Sequence, residues 1–212
     1  TQSVFQYSVH IEEIEDDLQD ISRNHFSFIA NPNKDDREEL LVTLLKILNQ
    51  HESSIVVYNK TFEKTRLEEL KLIFPQYENQ IDRVISRLFD LLDVVKMNKS
   101  FYKKLNFSDK DLESYNLYSP DFGGSYSLKK VIKLFNKNAY EDLLINDGVK
   151  AYKAYEKIIE SNAIETKEIK KNLFLYCRQD TYSMYQIIQG LKRLIGPDFK
   201  INNSWIFENH MI

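Results

Sequence analysis

One cysteine in 212 residues, Cys177, excludes an internal disulfide framework. Five glycines and four prolines leave little material for flexible linkers, and neither an internal repeat nor a low-complexity segment interrupts the chain. No run approaches the about 18 consecutive apolar residues of a membrane span, so no membrane partner is expected. The net charge of −3 and a pI near 5.9 carry no global basic signature, and any nucleic-acid contact must come from a local patch. What is present is 42% hydrophobic and 13% aromatic residues, ample for a buried core. These features predict a soluble domain in a reducing compartment, the cytoplasm by default. The opening TQSVFQYSVH reads as a strand in progress with no signal peptide before it, and the expectation is a fragment whose upstream part matters.

SVFQYSVHIEEI alternates apolar and polar residues at period two, and NHFSFIA at 24–30 does the same over a shorter span. They predict an antiparallel hairpin joined by the acidic EEIEDDLQD loop. Asn33 or Asp35 is placed to cap a helix in which Leu40, Leu41, Leu44, Leu45 and Leu48 recur at helical spacing. SIVVYN follows as a buried strand. A helix over 61–73 ends near Pro75, and YENQIDRVISRLFDLLDVV reads as one further helix. From 97 to 125 the pattern weakens into a long connection containing Gly123-Gly124. SLKKVIKLF and GVKAYKAYEKIIES are short helices, and a long final helix over 165–195 stops at Gly196-Pro197. A single α/β domain over 1–212 is the economical reading.

Two constellations carry chemistry. At the end of the SIVVYN strand stands Asn59-x-x-Phe62-Glu63, where α/β folds present side chains to ligands. A carboxylate there suits a hard cation, although a glutamate in a first helical turn is also favoured by the helix dipole. On the last helix, Tyr176 and Asp180 lie four apart and share one face. An inward-packed tyrosine beside a surface aspartate would explain that pair equally simply.

Taken in this order, N-x-x-F-(D/E) at a strand-to-helix junction and Y-x-x-x-D on a late helix resemble the second and third motifs of the Asp-Glu-Asp-Asp (DEDD) 3′-5′ exonucleases, tyrosine subclass. Asp90-Leu91-Leu92 and the Ser127-Leu128-Lys129-Lys130-Val131 helix start are lesser marks of the same kind. A closer similarity is to an uncharacterised bacterial family, domain of unknown function 2779. It rests on FQYSVH, VYNKTFEKTRL, DLLDVV, GGSYSLKKV, an AYED-like segment and YCRQDT, and covers about Phe5 to Leu194.

The resemblance implies a ribonuclease H-like mixed sheet flanked by helices, with a helix-rich C-terminal half. It further implies hydrolysis of phosphodiester bonds at a single-stranded DNA or RNA 3′ end by two Mg²⁺ or Mn²⁺ ions about 3.5–4 Å apart. Asp180 would hold the ion that carries the attacking water, Tyr176 would orient that water, and Glu63 would help to hold the other ion. Asn59, Phe62, Ser127 and Lys129 would meet the substrate, and Lys130 could join them. Glutamate at 63 departs from the usual aspartate by one methylene. The first motif, an Asp-x-Glu on an opening strand, would precede FQYSVH. The two-metal site is therefore expected to be incomplete in this fragment, and the fragment inactive alone. The resemblance also implies that another nuclease-like domain can share the polypeptide. The rival reading is a catalytically silent ribonuclease H-like module that binds nucleic acid or protein.

Other residues have plainer expectations. The cluster Glu12, Glu13, Glu15, Asp16 and Asp17 reads as a solvated turn. His10 is expected to be a satisfied core or edge histidine, His25 and His51 surface residues, and His210 part of an inert tail. Phe62 is expected to pack in the core, and Cys177, for which no base partner is apparent, is taken as a packing residue. Ser125 or Ser127 could cap a helix or meet a phosphate through the Gly123-Gly124 loop.

Overall fold

The computed structural model describes residues 4–12, 24–114 and 117–195. In chain order its elements are β1 (Gln6–His10), β2 (His25–Ile29), α1 (Arg37–Leu48), β3 (Ile55–Val57), α2 (Lys60–Ile73), α3 (Glu78–Ser86), β4 (Leu88–Asp90), α4 (Leu91–Val95), α5 (Lys99–Lys104), α6 (Asp109–Ser114), α7 (Leu128–Val131), α8 (Gly148–Lys157) and α9 (Ala163–Ile195). The architecture is mixed α/β, with two small sheets and a helix-rich C-terminal half. Two compact units are formed, one from Thr1–Ile47 with Asn138–Ser183 and the other from Leu48–Lys137 with Met184–Ile212. They interleave along the chain, so no single cut in the sequence separates them.

In the first unit β1 and β2 pair antiparallel, with Gln6 opposite Ile29 and His10 opposite His25, as the period-two alternation predicts. The acidic residues from Glu13 to Asp20 lie outside the described residues, as do Gly196, Pro197 and His210. Of the two predicted caps, Asp35 accepts the Arg37 N–H at 3.2 Å, whereas Asn33 donates its own N–H to Asn31 Oδ1 at 3.0 Å. Of the leucine stripe, Leu40, Leu41 and Leu45 are buried and Leu44 and Leu48 half-buried. At the start of α9, Asn162 Oδ1 accepts the N–H groups of Ile164 and Glu165, both at 3.0 Å, while Glu165 reaches back to the Asn162 N–H at 3.3 Å. This reciprocal cap satisfies donors that a helix start leaves open. The apolar core of the unit joins Ile145, Ala151, Ile158, Leu173 and Tyr176, with Phe5 stacked on Tyr155 at 4.3 Å.

In the second unit β3 and β4 run parallel, Ile55 opposite Leu88 and Val57 opposite Asp90, with α2 and α3 forming the crossover that parallel strands require. Here the single helix predicted for YENQIDRVISRLFDLLDVV is corrected. It breaks into α3, the strand β4 and the short α4. The apolar positions Ile81, Val84, Leu88, Leu91 and Val95 are all buried, so helical spacing alone does not reveal the break. Arg87 makes it: its guanidinium donates to the carbonyls of Leu48 at 2.7 Å and Ser53 at 3.2 Å, and to that of His51. Pinned there, the chain continues extended, and Ile55 N–H donates to Arg87 O at 2.9 Å. The helix predicted for SLKKVIKLF is α7 continued as a 3₁₀ turn over Ile132–Leu134.

Candidate functional site

On α9, Tyr176 and Asp180 share a face as their spacing predicts, and both lie in the first unit. Tyr176 stands one turn before Asp180, and the charge of that carboxylate acts on its phenol. A second phenol converges on the same group, with Tyr140 donating its hydroxyl to Asp180 Oδ1 at 2.7 Å. Behind it, Gln179 Nε2 donates to Ser183 Oγ at 3.0 Å, and the Ser183 hydroxyl bonds to Tyr140. Ser183 is fully buried. Burial pushes both phenols well above the usual tyrosine range, and the Asp180 charge adds to the rise. Both therefore keep their protons, and Tyr140 donates its own to the Asp180 carboxylate.

The residue after Asp180 ties the helix to the hairpin. Thr181 Oγ1 donates to Arg178 O at 3.1 Å and so accepts from His10 Nδ1 at 2.8 Å and Ser8 Oγ at 2.9 Å. With its proton committed to Thr181, Ser8 accepts from His25 Nε2 at 2.8 Å. The network thus assigns the proton of His10 to Nδ1 and leaves its buried Nε2 as a lone pair without a partner among the described residues. The His10 and His25 rings lie 4.5 Å apart. Burial, followed by the charges of His25 and Arg178, lowers His10 from 6.5 to about 4. His25 is lowered too, mainly by burial. His25 is therefore not the surface residue expected: its pairing opposite His10 draws it into the network. His10, expected to be satisfied, has only one nitrogen bonded among the described residues.

In the second unit the β3–α2 junction holds Asn59 in a left-handed conformation, φ 70 and ψ 69, with no side-chain cap bond. The capping carboxylate is Asp90, at the end of β4. Its Oδ1 accepts the Asn59 N–H at 2.9 Å and the Leu92 N–H at 3.0 Å, and its Oδ2 accepts the Lys60 N–H at 2.8 Å. Glu63 sits half-buried in the first turn of α2. Phe62, expected in the core, is 54% exposed, with the Arg66 guanidinium 5.6 Å over its ring. It lies on the outer side of the first turn of an amphipathic helix whose buried positions are Leu67 and Leu70. A cleft of 590 Å³ runs along the start of this helix, lined by Lys60, Thr61, Lys64, Thr65 and Glu68 of α2 together with Asp90 and Asp93.

The Gly123-Gly124 loop takes positive φ at both glycines, 54 and 76, conformations that suit residues without a Cβ. Tyr58 donates to Tyr126 O at 2.5 Å, and Lys130 Nζ to Asp121 O at 3.1 Å. Lys130 therefore ties down the preceding turn. Ser127 precedes α7 without a side-chain cap bond; Ser125 Oγ accepts the Ser127 N–H at 3.4 Å. Lys129 is half-buried on α7. Cys177 is half-buried on α9, as expected of a packing residue, and His51 is half-buried rather than exposed.

The sequence motifs point to Tyr176 and Asp180 but pass over Tyr140, Ser183, Ser8 and Thr181. Tyr140 lies in the AYED segment and Asp90 opens DLLDVV, so each was flagged by similarity without a role. Among the described residues, no three or more His, Cys, Asp or Glu side chains form a group that could hold a metal ion. The described residues do not by themselves fit a two-metal set. Among them, too, no helix is long and apolar enough to cross a membrane.

Comparison with known proteins adds lineage. Residues 1–127 match the family described as Domain of unknown function (DUF2779), and the chain belongs to that family. An uncharacterized protein of Ureaplasma parvum serovar 3 is 25% identical over 92% of this chain and 28% of its own length. Another, of Mycoplasma genitalium, is 27% identical over 69% of this chain and 22% of its own length. The chain thus spans under a third of the curated relatives it matches. No solved structure matches it.

Proposed function

We propose that this member of the DUF2779 family is part of a metal-dependent 3′-5′ exonuclease-like domain of ribonuclease H-like fold, acting in the cytoplasm on the 3′ end of single-stranded DNA or RNA. The observation that carries this reading is the pair Tyr176 and Asp180, a phenol and a carboxylate one helical turn apart on one face of α9. Two further features support it. The element order is an antiparallel pair, a helix, a strand, helices, and a strand parallel to the last. Asn59 also adopts a tight left-handed turn at a strand-to-helix junction, with Glu63 one turn on.

Within the reading, Asp180 would be one carboxylate toward Mg²⁺ or Mn²⁺, ions that would supply water activation and charge neutralisation. Tyr176 keeps its proton and orients the water through its hydroxyl. Glu63 is the second-motif carboxylate. Asn59, Phe62, Ser127 and Lys129 are substrate contacts, and the exposed ring of Phe62 offers a stacking face for a terminal base. The reading calls for further carboxylates from the longer protein, where another nuclease-like domain can accompany this one.

The test follows 5′-labelled single-stranded DNA and RNA with the full-length protein in Mn²⁺, Mg²⁺ or EDTA. Asp180→Asn and Tyr176→Phe run alongside. Metal-dependent shortening from the 3′ end, lost in Asp180→Asn, is the expected result. A folded full-length protein that degrades neither polymer overturns it and leaves a silent interaction module.

A further inference from the structure

Tyr140 has no role in the motif reading, yet its side chain meets Asp180, the carboxylate that reading pairs with Tyr176. Its hydroxyl lies 2.7 Å from Asp180 Oδ1, a full-strength O–H···O distance that a charged acceptor also adopts. The ring packs against the buried cluster of Ile145, Leu173 and Tyr176, so the phenol cannot swing away without opening that core. The Ser183 hydroxyl meets the Tyr140 oxygen from behind, and Gln179 fixes Ser183 in turn at 3.0 Å. A directed chain results: amide to serine, serine to phenol, phenol to carboxylate. Three of its four members sit within two turns of α9, and the fourth, Tyr140, comes from the connection before α8.

We propose that Tyr140 is the positioning residue of the candidate site: its hydroxyl, backed by Ser183 and Gln179, holds the Asp180 carboxylate in the orientation that Tyr176 and substrate chemistry require. The inference rests on the exonuclease reading above and adds to it. Aspartate has two rotatable side-chain bonds, and a carboxylate left to rotate loses much of the benefit of a pre-oriented site. The Tyr140 hydroxyl removes that freedom. Tyr176 then serves the contact to water, and Tyr140 the orientation of Asp180. A residue of this kind affects turnover more than substrate binding, because the orientation it enforces matters most in the transition state.

The experiment uses the full-length protein and the 3′-end shortening assay. Tyr140→Phe keeps the ring and removes only the hydroxyl. The expected result is a fall in kcat of about tenfold or more with KM within about twofold. Ser183→Ala, which leaves Tyr140 in place without its backing, moves kcat in the same direction by less. An activity-independent arm measures Tm for Tyr140→Phe, Asp180→Asn and the double variant. Coupled residues give a double-variant shift smaller than the sum of the singles, by about 2 °C or more. Additive Tm shifts overturn the contact itself, whatever the activity. Coupled Tm shifts with unchanged kcat, or a KM rise with kcat intact, overturn the positioning role. Should Asp180→Asn retain full activity, the exonuclease reading fails and this inference falls with it, an outcome separable from the others because the Tm cycle is scored independently. If Tyr140→Phe does not fold, Ser183→Ala decides alone: no change in its kcat overturns the proposal.

Discussion

Asp90, at the end of β4, holds the backbone of Asn59, at the end of β3, through a 2.9 Å hydrogen bond from the Asn59 N–H to its carboxylate. The same carboxylate takes the Lys60 and Leu92 N–H groups. One side chain thus caps two helices and joins the ends of two parallel strands. That is why Asn59 can adopt φ 70 with its own side chain uncommitted to the cap. Lys60 Nζ adds a tie to Leu88 O at 2.7 Å.

Asp90→Ala is expected to destabilise the second unit by about 2–3 kcal/mol, since it strips a cap and leaves partly buried amides unpaired. Asp90→Asn, which keeps one carbonyl oxygen, loses less. Urea denaturation of the two variants beside the wild type measures both. An Asp90→Ala midpoint equal to that of the wild type would show that the carboxylate is dispensable.

Arg87 makes the second test of the same sheet. Its guanidinium serves the carbonyls of Leu48 and Ser53 and the Asn49 side chain, and also that of His51. A lysine offers no planar fork and reaches fewer of these acceptors. Arg87→Lys should therefore cost about 1–2 kcal/mol, with the loss of slow-exchanging amides concentrated at Ile55 to Val57 and Leu88 to Asp90. Protection that falls uniformly over the chain would contradict this.

Gly190 is buried on α9 with the Phe135 ring against its Cα, in the space a Cβ would need. Although alanine is the better helix former, Gly190→Ala should destabilise by about 1–3 kcal/mol through overpacking. Phe135→Leu should recover part of that loss in the double variant while destabilising on its own. Thermal unfolding of the four proteins reads the sign of the coupling directly.

His10 predicts a pH dependence. Burial holds its folded-state pKa at about 4, below the ordinary 6.5, so between these values the unfolded chain binds more protons than the folded one. The stability contribution is therefore complete above pH 6.5 and is lost as the pH falls toward 4. His25, lowered as well, acts in the same sense. The urea midpoint of the wild type should fall between pH 7.5 and pH 5, and His10→Gln should flatten that dependence. A histidine ring signal for residue 10 that titrates near 6.5 in the folded protein would refute the assignment.

Much of the fold was legible in the sequence because it rests on local patterns. The alternation over residues 4–10 and 24–30 specified the hairpin, the leucine spacing specified α1, and the Tyr176–Asp180 spacing alone placed a phenol and a carboxylate on one face of α9. Those relations are set by the periods of strand and helix. The failures share a different cause. Leu88 to Asp90 pair with β3 as a strand although their spacing suits a helix, because the Arg87 contacts and the parallel ladder outweigh local preference. Phe62 was placed inside, yet it projects outward from the first turn of α2.

The sequence by itself determined which faces are apolar, which residues punctuate the helices, and that Tyr176 and Asp180 share one face of α9. Tertiary structure alone decided that Tyr140 would reach Asp180 across 40 residues and Thr181 would reach His10 across 171. It also decided that Asp90, not Asn59, would cap α2. Such partners are chosen by where the chain returns after a turn and by the need to satisfy each buried polar group. Neither leaves a periodic trace along the chain.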